Sequence, residues 1–563
     1  MKKLLVPVAI LLVSAFIITG CGTSTPSPAA TTTAPTTLAT TQPVTTTARP
    51  ATTTAPYTPT NPAPTTIAPA PTPTSTSAAK PGGILKFVSA NTPGTPFGWN
   101  PETSGGSVFT MQLTLQYLLK EQIDGSLTPN LATSYDVVSD PANASLTFHL
   151  RQGVKFSDGS DFNAQAVKWA YQAVKDGNMN SASTQFWKSF DVLDDYTIRV
   201  NLTTWQNRMI RSFADGVAFV ESPTAYQKNG LDWMRWNMVG TGPFVQTSFQ
   251  RDVSLTTAKN TNYWDKGYPY LDGVQLLYVA DPLTAQALFK SGGADVIQAY
   301  SNKMASDLGT AGYKIISQPT GAAVLAPDSA NADSPWSNPK VRQAAEYAID
   351  KVGITQALGY GLTQPAYQLN SSASPAYDSA LPNRTLDIAK AKQLLTDAGY
   401  PNGFKSSIID TMTGTNHDEC VAIQANLAKI GIVCDVQFPE QAQATAFLTG
   451  SQPHNALLFN SLLQWANPNT GFNFYFGVPK STWFPSTARP VGWVDIVTPS
   501  LMSAKVESTL AKKAEDALYN DATIIPLWFA VANFAVTGQV QDSYIGTRGA
   551  STWWEPAYTW LKK

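Results

Sequence analysis

Apolar residues recur along this chain with two periods, and the changes from one to the other predict its elements. Leu146, Phe148 and Leu150 alternate with Thr147, His149 and Arg151, the period of a strand with one buried face. Val154 and Phe156 carry the alternation on to Asp158-Gly159, a turn signal. The spacing then lengthens. Asn163 can cap a helix whose core stripe is Val167, Ala170, Tyr171 and Val174. Asn338-Pro339 pairs a cap with a proline at the first helical position, and Val341, Ala344, Ala345 and Ala348 form the stripe behind it. Asp387 opens another helix with Ile388, Ala391, Leu394, Leu395 and Ala398 inside; Gly399 stops it and Pro401 keeps it from resuming. Cys420, Ile423 and Leu427 share a helical face before Gly431, after which Ile432, Cys434 and Val436 alternate as a strand. Strands and helices interleave without a strict repeat, so the fold class is α/β.

The first 79 residues follow neither period. Lys2 and Lys3 precede an apolar run from Leu4 to Ile18, and the run closes on Thr19, Gly20 and Cys21. A basic start, a short apolar stretch and small residues form the layout of a secretory signal. An uncleaved membrane anchor with an incidental Cys is the other reading, although the run is shorter than the roughly 20 residues of a spanning helix. A Cys directly after that small-residue pair resembles the bacterial lipobox. In lipoproteins the resemblance implies cleavage before Cys21 and acylation of its thiol and new amino terminus. Residues 1–20 are therefore expected to be a signal peptide and Cys21 a lipid attachment site. Residues 21–79 are almost entirely Thr, Pro, Ala and Ser, with Tyr57 the single aromatic residue and Arg49 the single charge. Such a segment cannot bury enough apolar surface to offset its ordering entropy, and its prolines favour extended stretches. It reads as a disordered stalk, with a Ser/Thr-Pro bias that suits O-glycosylation.

From Lys80 onward aromatic residues appear throughout. A body of about 500 residues exceeds a single core, so two or three domains are expected. Charged residues make up 14% of the chain and the net charge is -1, two units more negative without Lys2 and Lys3. No basic surface for nucleic acid follows from such numbers. The histidines are three, His149, His417 and His454, and none has metal-ligand spacing to another. HExxH, G-x-S-x-G and Cys-x-x-Cys motifs are absent. We expect no enzyme, no metal and no cofactor. Cys420 and Cys434 are the only cysteines after Cys21. Either a disulfide or two buried free thiols fits them, since the helix carries the chain away for about 15 Å before the strand returns.

Longer segments then resemble a known family. Leu131 to Ala170 (LATSYDVVSD, then LTFHLRQGVKFSDGSDFNAQAVKWA) is similar to the signature of extracellular solute-binding proteins of family 5, the dipeptide- and oligopeptide-binding type that serves ABC importers. Matches continue in the family's order: GTGPF at 240–244, NTNYWDKGYPYLDGVQL from Asn260, ALFKSGGADV at 287–296 and NPKVRQAAEYAIDK at 338–351. AKAKQLLTDAGYPNGF at 389–404, IQANLAKIGI at 423–432 and DATIIPLWF near residue 525 complete the series, which spans essentially the whole body. The resemblance implies a two-lobed periplasmic-binding-protein fold with an extra N-terminal subdomain and the ligand enclosed between the lobes. We expect residues 80–320 plus 530–563 as the N-terminal lobe and 321–529 as the C-terminal lobe. The chain would cross between them near Ile315 to Ala326 and return near Ile524 to Phe534. Gly240 and Gly242 would permit unusual dihedrals where a strand begins. Without Gly-Lys-Ser/Thr after it, GTGPF is no P-loop. Tyr263 and Trp264 read as packing residues.

Peptide-binding members of the family carry a Trp followed shortly by an Asp that pairs with the ligand's α-amino group, a charge-assisted bond. The corresponding stretch here is Gln464-Trp465-Ala466-Asn467-Pro468-Asn469. Trp465 matches and the acid does not, unless the comparison slips by a few residues in a variable loop. Asn467 offers an acceptor without charge. Loops after the first strand line the cleft in this family, which nominates Trp99, Ser104, Ser107 and Phe109. Trp528 and Phe529 lie near the return crossing, and Trp336 and Trp483 lie in second-lobe loops. An aromatic, weakly charged cleft suits an uncharged or apolar-rich solute: a blocked peptide, an oligosaccharide or another organic molecule. The expected function is a monomeric, lipid-anchored binding protein on the outer face of a bacterial membrane that hands its solute to ABC permease subunits. A signalling receptor or adhesin on the same fold is the alternative, and a hydrolase grafted on it a third.

Overall fold

Two long strands carry the chain between its lobes. Lys314–Pro327 and Ile525–Val536 run antiparallel, from Lys314 opposite Val536 to Leu325 opposite Ile525. Successive side chains on a strand point to opposite faces, so each crossing strand feeds two cores. Ala323 and Leu325 enter one C-terminal core; Ala322, Val324 and Ala326 enter the other. Further along, Phe534 and Val536 enter the large N-terminal core while Ala535 enters a smaller one with Val88 and Ile297. The computed structural model describes residues 79–562, apart from 91, 104–107, 123–125, 141, 178–183, 215–217, 413–416, 451–453, 478–482, 544 and 546–553. The expected signal peptide, Cys21 and the stalk to residue 78 lie outside the described residues, as do Ser104 and Ser107.

The crossing strands are the middle of one 11-stranded sheet. On the C-terminal side Lys314–Pro327 is followed by Leu457–Leu463, Phe404–Asp410 and Ile432–Gln437. On the N-terminal side Ile525–Val536 is followed by Val296–Gln298, Ile84–Ser89, Gly273–Tyr278, Ser254–Lys259 and Phe244–Gln250. The extra subdomain is a four-stranded antiparallel sheet in the order Ala132–Val138, Ser145–Leu150, Thr197–Leu202, Trp187–Asp194, covered by the helix Ala164–Asp176. Near residue 554 the chain is back in the first lobe, where Trp554 stacks on Phe87 at 5.8 Å.

Local chemistry sets these elements as the sequence indicates. Asn163, Asn338 and Asp387 each cap a helix, their side chains accepting from the amides of Ala166, Lys340 and Lys390. Val341, Ala344, Ala345 and Ala348 have no exposed surface. Gly399 and Gly431 have φ near +90°, where glycine is unstrained. Gly240 and Gly242 differ from expectation: neither has a positive φ, and a Cβ on either would meet the Thr114 carbonyl oxygen at 2.3 or 2.6 Å. Close backbone approach, not an unusual dihedral, requires glycine there. Tyr263 and Trp264 are packing residues whose polar atoms bond to Gln116, and Arg151 lies 4.1 Å over the Trp264 ring. Cys420 and Cys434 are free, buried thiols; burial pushes Cys434 up to about 12.

Each lobe also buries charge. Arg211 holds Glu121 at 2.8 Å in the N-terminal lobe. In the C-terminal lobe Glu346 takes Lys351 at 3.2 Å on one oxygen and Arg384 at 2.6 Å on the other.

Candidate functional site

The strand directions locate the site. In the N-terminal lobe Ile84–Ser89, Gly273–Tyr278 and Val296–Gln298 are parallel. Their carboxyl ends lie level with Phe534, because Gln298 pairs with it. In the C-terminal lobe Phe404–Asp410, Ile432–Gln437 and Leu457–Leu463 are parallel, and Leu463 pairs with Gly321. Both sets of carboxyl ends therefore converge on the middle of the crossing strands. Ligands of open α/β sheets bind outside such ends.

Beyond Leu463 the chain makes an aromatic pocket. Leu369, Asn370, Leu463, Gln464, Trp465 and Tyr475 are among the ten residues that line this small, partly open depression. None of the ten is charged. Trp465 packs on Phe474 and Tyr475, both at 5.5 Å between ring centres, and Phe474 reaches Trp483 at 5.8 Å. The helix Pro468–Phe476 carries Phe474 and Tyr475, and its Gly471 leaves room for the indole, since a Cβ there would sit 3.3 Å from the Trp465 ring. Tyr475 is fixed by the amide of Leu463, which donates to its hydroxyl at 2.8 Å.

Charge stands behind this lining. Glu515, on the helix Ser508–Asp521, accepts from the amides of Leu369 and Asn370 at 2.6 and 3.3 Å and from Asn370 Nδ2 at 2.7 Å. Burial pushes its carboxyl up to about 7 against the pull of those donors. Gln464 Nε2 in turn donates to the Leu369 carbonyl. The wall formed by residues 369 and 370 is thus held from both sides.

The expected site residues divide into groups. Trp465 lines the aromatic pocket, Trp483 is linked to it through Phe474, Asn467 caps the helix Pro468–Phe476 beside it, and Phe529 packs against the same core as Trp465. Trp528 points the other way, into the second C-terminal core beside Phe459 at 5.8 Å. Trp336 has no exposed surface; it packs on Phe404 and donates its indole N–H to Ser406 Oγ at 2.9 Å, so it is a core residue with no face for a ligand. In the N-terminal lobe Trp99 stacks on Tyr226 at 4.8 Å, beside Trp169, whereas Phe109 packs on Phe87 and Trp554. Asn467 Oδ1 caps its helix by accepting from the Asn469 amide at 3.0 Å, and its Nδ2 donates at 3.2 Å to Asn207 Oδ1 in the opposite lobe. Both ends of that amide are engaged by the protein.

Leu463, Gln464, Asn370, Tyr475 and Glu515 were not singled out from the sequence. The first two lie within two residues of Trp465 and could have been; Asn370 and Glu515, 145 residues apart, are brought together by the fold. The histidines bond to Asp136, Asp410 and Ser486 separately. Among the described residues no group of three potential metal ligands exists, and no helix is long and apolar enough to cross a membrane.

Comparison with known proteins agrees with this geometry. Residues 126–483 match the profile of bacterial extracellular solute-binding proteins, family 5 Middle. The glutathione-binding protein GsiB of Salmonella typhi is 27% identical over 416 residues, 70% of this chain and 79% of that protein. The periplasmic binding protein DppA of Helicobacter pylori, solved with the peptide STSA, has the same fold with a TM-score of 0.70 at 22% identity, over 86% of this chain and 99% of its own. AgaA of A. tumefaciens R10, solved with agropinic acid, gives 0.69 at 25% identity, over 85% and 99%.

Proposed function

This chain belongs to the bacterial extracellular solute-binding proteins of family 5, and we propose that it captures a weakly charged organic or peptide-like solute and delivers it to an ABC permease. The observation that carries the reading is the Trp465 pocket: aromatic and amide-lined, without a charged side chain, at the carboxyl ends of the strands. An ammonium or carboxylate buried there would lack a compensating partner. The relatives are named for binding glutathione; this lining favours a blocked peptide, a sugar or another neutral ring-bearing molecule. Rings stack well on Trp465 and Tyr475. Trp99 is a proposed contact from the other side of the cleft and Phe529 one from the Trp465 side, with Ser104, Ser107, Phe109, Trp483 and Trp528 as further members of the expected set.

The proposed mechanism is closure of residues 80–320 plus 530–563 onto residues 321–529 about the crossing strands. Binding drives the shift because the closed state holds the solute more tightly. Cys21 supplies a lipid anchor and residues 22–79 a stalk that keeps the body within reach of the permease. Binding and handover, rather than chemistry on the solute, is the proposed activity.

Native mass spectrometry of the purified full-length protein tests the reading. A neutral organic solute is expected to co-purify with the wild type and to be lost, or retained at least tenfold less, in Trp465→Ala, since truncating a buried aromatic anchor costs about 2 kcal/mol or more. A ligand with a free ammonium held as well by Trp465→Ala would refute it. The anchor has its own test: Cys21→Ser is expected to leave the membrane fraction or accumulate unprocessed, and normal processing with full membrane retention would exclude lipidation.

A further inference from the structure

Asn207 ties the two lobes together through several hydrogen bonds. Asn207 lies in the short helical segment Asn207–Phe213 of the N-terminal lobe and is 6% exposed. Its Nδ2 donates to the Ser500 carbonyl at 2.7 Å and to Ser503 Oγ at 3.1 Å, with the Lys505 carbonyl at 3.4 Å. Its Oδ1 accepts from Asn467 Nδ2 and from Asn469 Nδ2, each at 3.2 Å. Beside it the Trp205 indole donates to the Ser503 carbonyl at 3.2 Å. On the C-terminal side the receiving groups are tied to one another: Ser500 Oγ donates to Asn469 Oδ1 at 2.7 Å, and Asn469 Nδ2 also reaches the Ser500 carbonyl at 2.9 Å. Asn469 and Ser500 have no exposed surface.

We infer that Asn207, closed on Asn467, Asn469 and Ser500, is an interlobe latch that sets solute affinity by holding the closed state, and that Asn467 serves this latch rather than the ligand. The inference rests on the reading that the lobes open and close on a solute.

Three features point to a latch rather than to static packing. The contact joins segments 260 residues apart, on the two bodies that the crossing strands connect. Every group in it is a neutral amide, hydroxyl or carbonyl, and such groups pass between water and a hydrogen-bonded interior at far lower cost than charges. The network can therefore form and break on each cycle. It is also matched donor to acceptor, so opening exchanges these bonds for bonds to water with a small net change. Apparent affinity scales with the fraction of protein in the binding-competent state, so any contact present only in the closed form raises it without touching the solute.

Position 467 separates a ligand role from a latch role. An aspartate there keeps the helix cap, because its carboxylate accepts from the Asn469 amide as well as asparagine does. It removes the donor to Asn207 and sets a carboxylate against the Asn207 Oδ1. Asn467→Asp should therefore loosen the opposite lobe while leaving its own helix folded.

Hydrogen exchange of the full-length, ligand-stripped protein reads this directly. In Asn467→Asp, amides of residues 205–213 are expected to exchange about tenfold faster than in wild type, the effect of one or two lost hydrogen bonds. In Asn207→Ala, residues 500–505 and 469–470 should show the same gain. Unchanged exchange at 205–213 in Asn467→Asp, with the circular dichroism of the wild type, overturns the latch. The solute-binding reading is separate from that result, since native mass spectrometry of the wild type decides it alone. Asn467→Asp also serves if Asn207→Ala fails to fold, because its substitution leaves the cap intact.

Discussion

Each lobe holds a buried carboxylate that fixes backbone beside an expected site residue, and the two are held differently. In the N-terminal lobe Glu221, 1% exposed, accepts from the amide of Asn100 at 2.7 Å, which fixes the residue after Trp99. In the C-terminal lobe Glu515, equally buried, takes three donors from Leu369 and Asn370. Desolvation dominates in both, pushing Glu221 up to about 8 and Glu515 up to about 7. The difference follows the donors: more hydrogen bonds to the ionised form offset more of the cost of burial. The C-terminal wall is therefore organised by a group closer to ionisation at neutral pH, and the N-terminal wall by one that is mostly protonated.

Removing the titrating proton from Glu221 breaks the comparison most strongly. Its folded value lies above the roughly 4.3 of an unfolded glutamate. The stability it contributes is therefore fully present below about pH 4.3 and is lost as pH rises through about 8. The full span corresponds to about 5 kcal/mol at most. Glu221→Gln is expected to match the wild type near pH 5 and to exceed it by several kcal/mol at pH 9 in urea unfolding. Parallel pH profiles of the two proteins would show that Glu221 does not titrate in this way.

Glu515→Gln is the smaller effect and sharpens the contrast. The same sign applies, with stability lost as pH rises through about 7, a span of about 4 kcal/mol at most. The variant also sets an amide N–H against Asn370 Nδ2, which costs about 1 kcal/mol at every pH. Its gain over the wild type at pH 9 should therefore be at least 1 kcal/mol less than that of Glu221→Gln. Equal gains would mean that the three donors on Glu515 do not distinguish it from Glu221.

What the sequence revealed was mostly local. Caps at Asn163, Asn338 and Asp387 and the stripes behind them depend on residues a turn or two apart, and the structure shows each of them. Gly240 and Gly242 were legible as required glycines, but the reason for them was not, because the Thr114 carbonyl that excludes a side chain comes from another element. Trp336 stood out as a large ring in a loop, yet its surroundings come from the strand holding Phe404 and Ser406. Asn467 was visible as an amide where the resemblance to the family implies an acid. Its partner across the cleft, Asn207, has no mark in the sequence, since an asparagine among polar neighbours reads as surface until the lobes are set against each other.

The return of the chain to its first lobe has a consequence for how the protein is made. Phe87 lies in the first strand of the large sheet, and its stacking partner Trp554 is synthesised only after the entire second lobe. Lys120 and Glu555, 435 residues apart, are likewise joined in the finished lobe. Long-range pairings of this kind form late, because loop closure has to precede any reward from contact. The nascent N-terminal lobe thus leaves the ribosome without the ring that completes its core. The residues that finish its first domain arrive last.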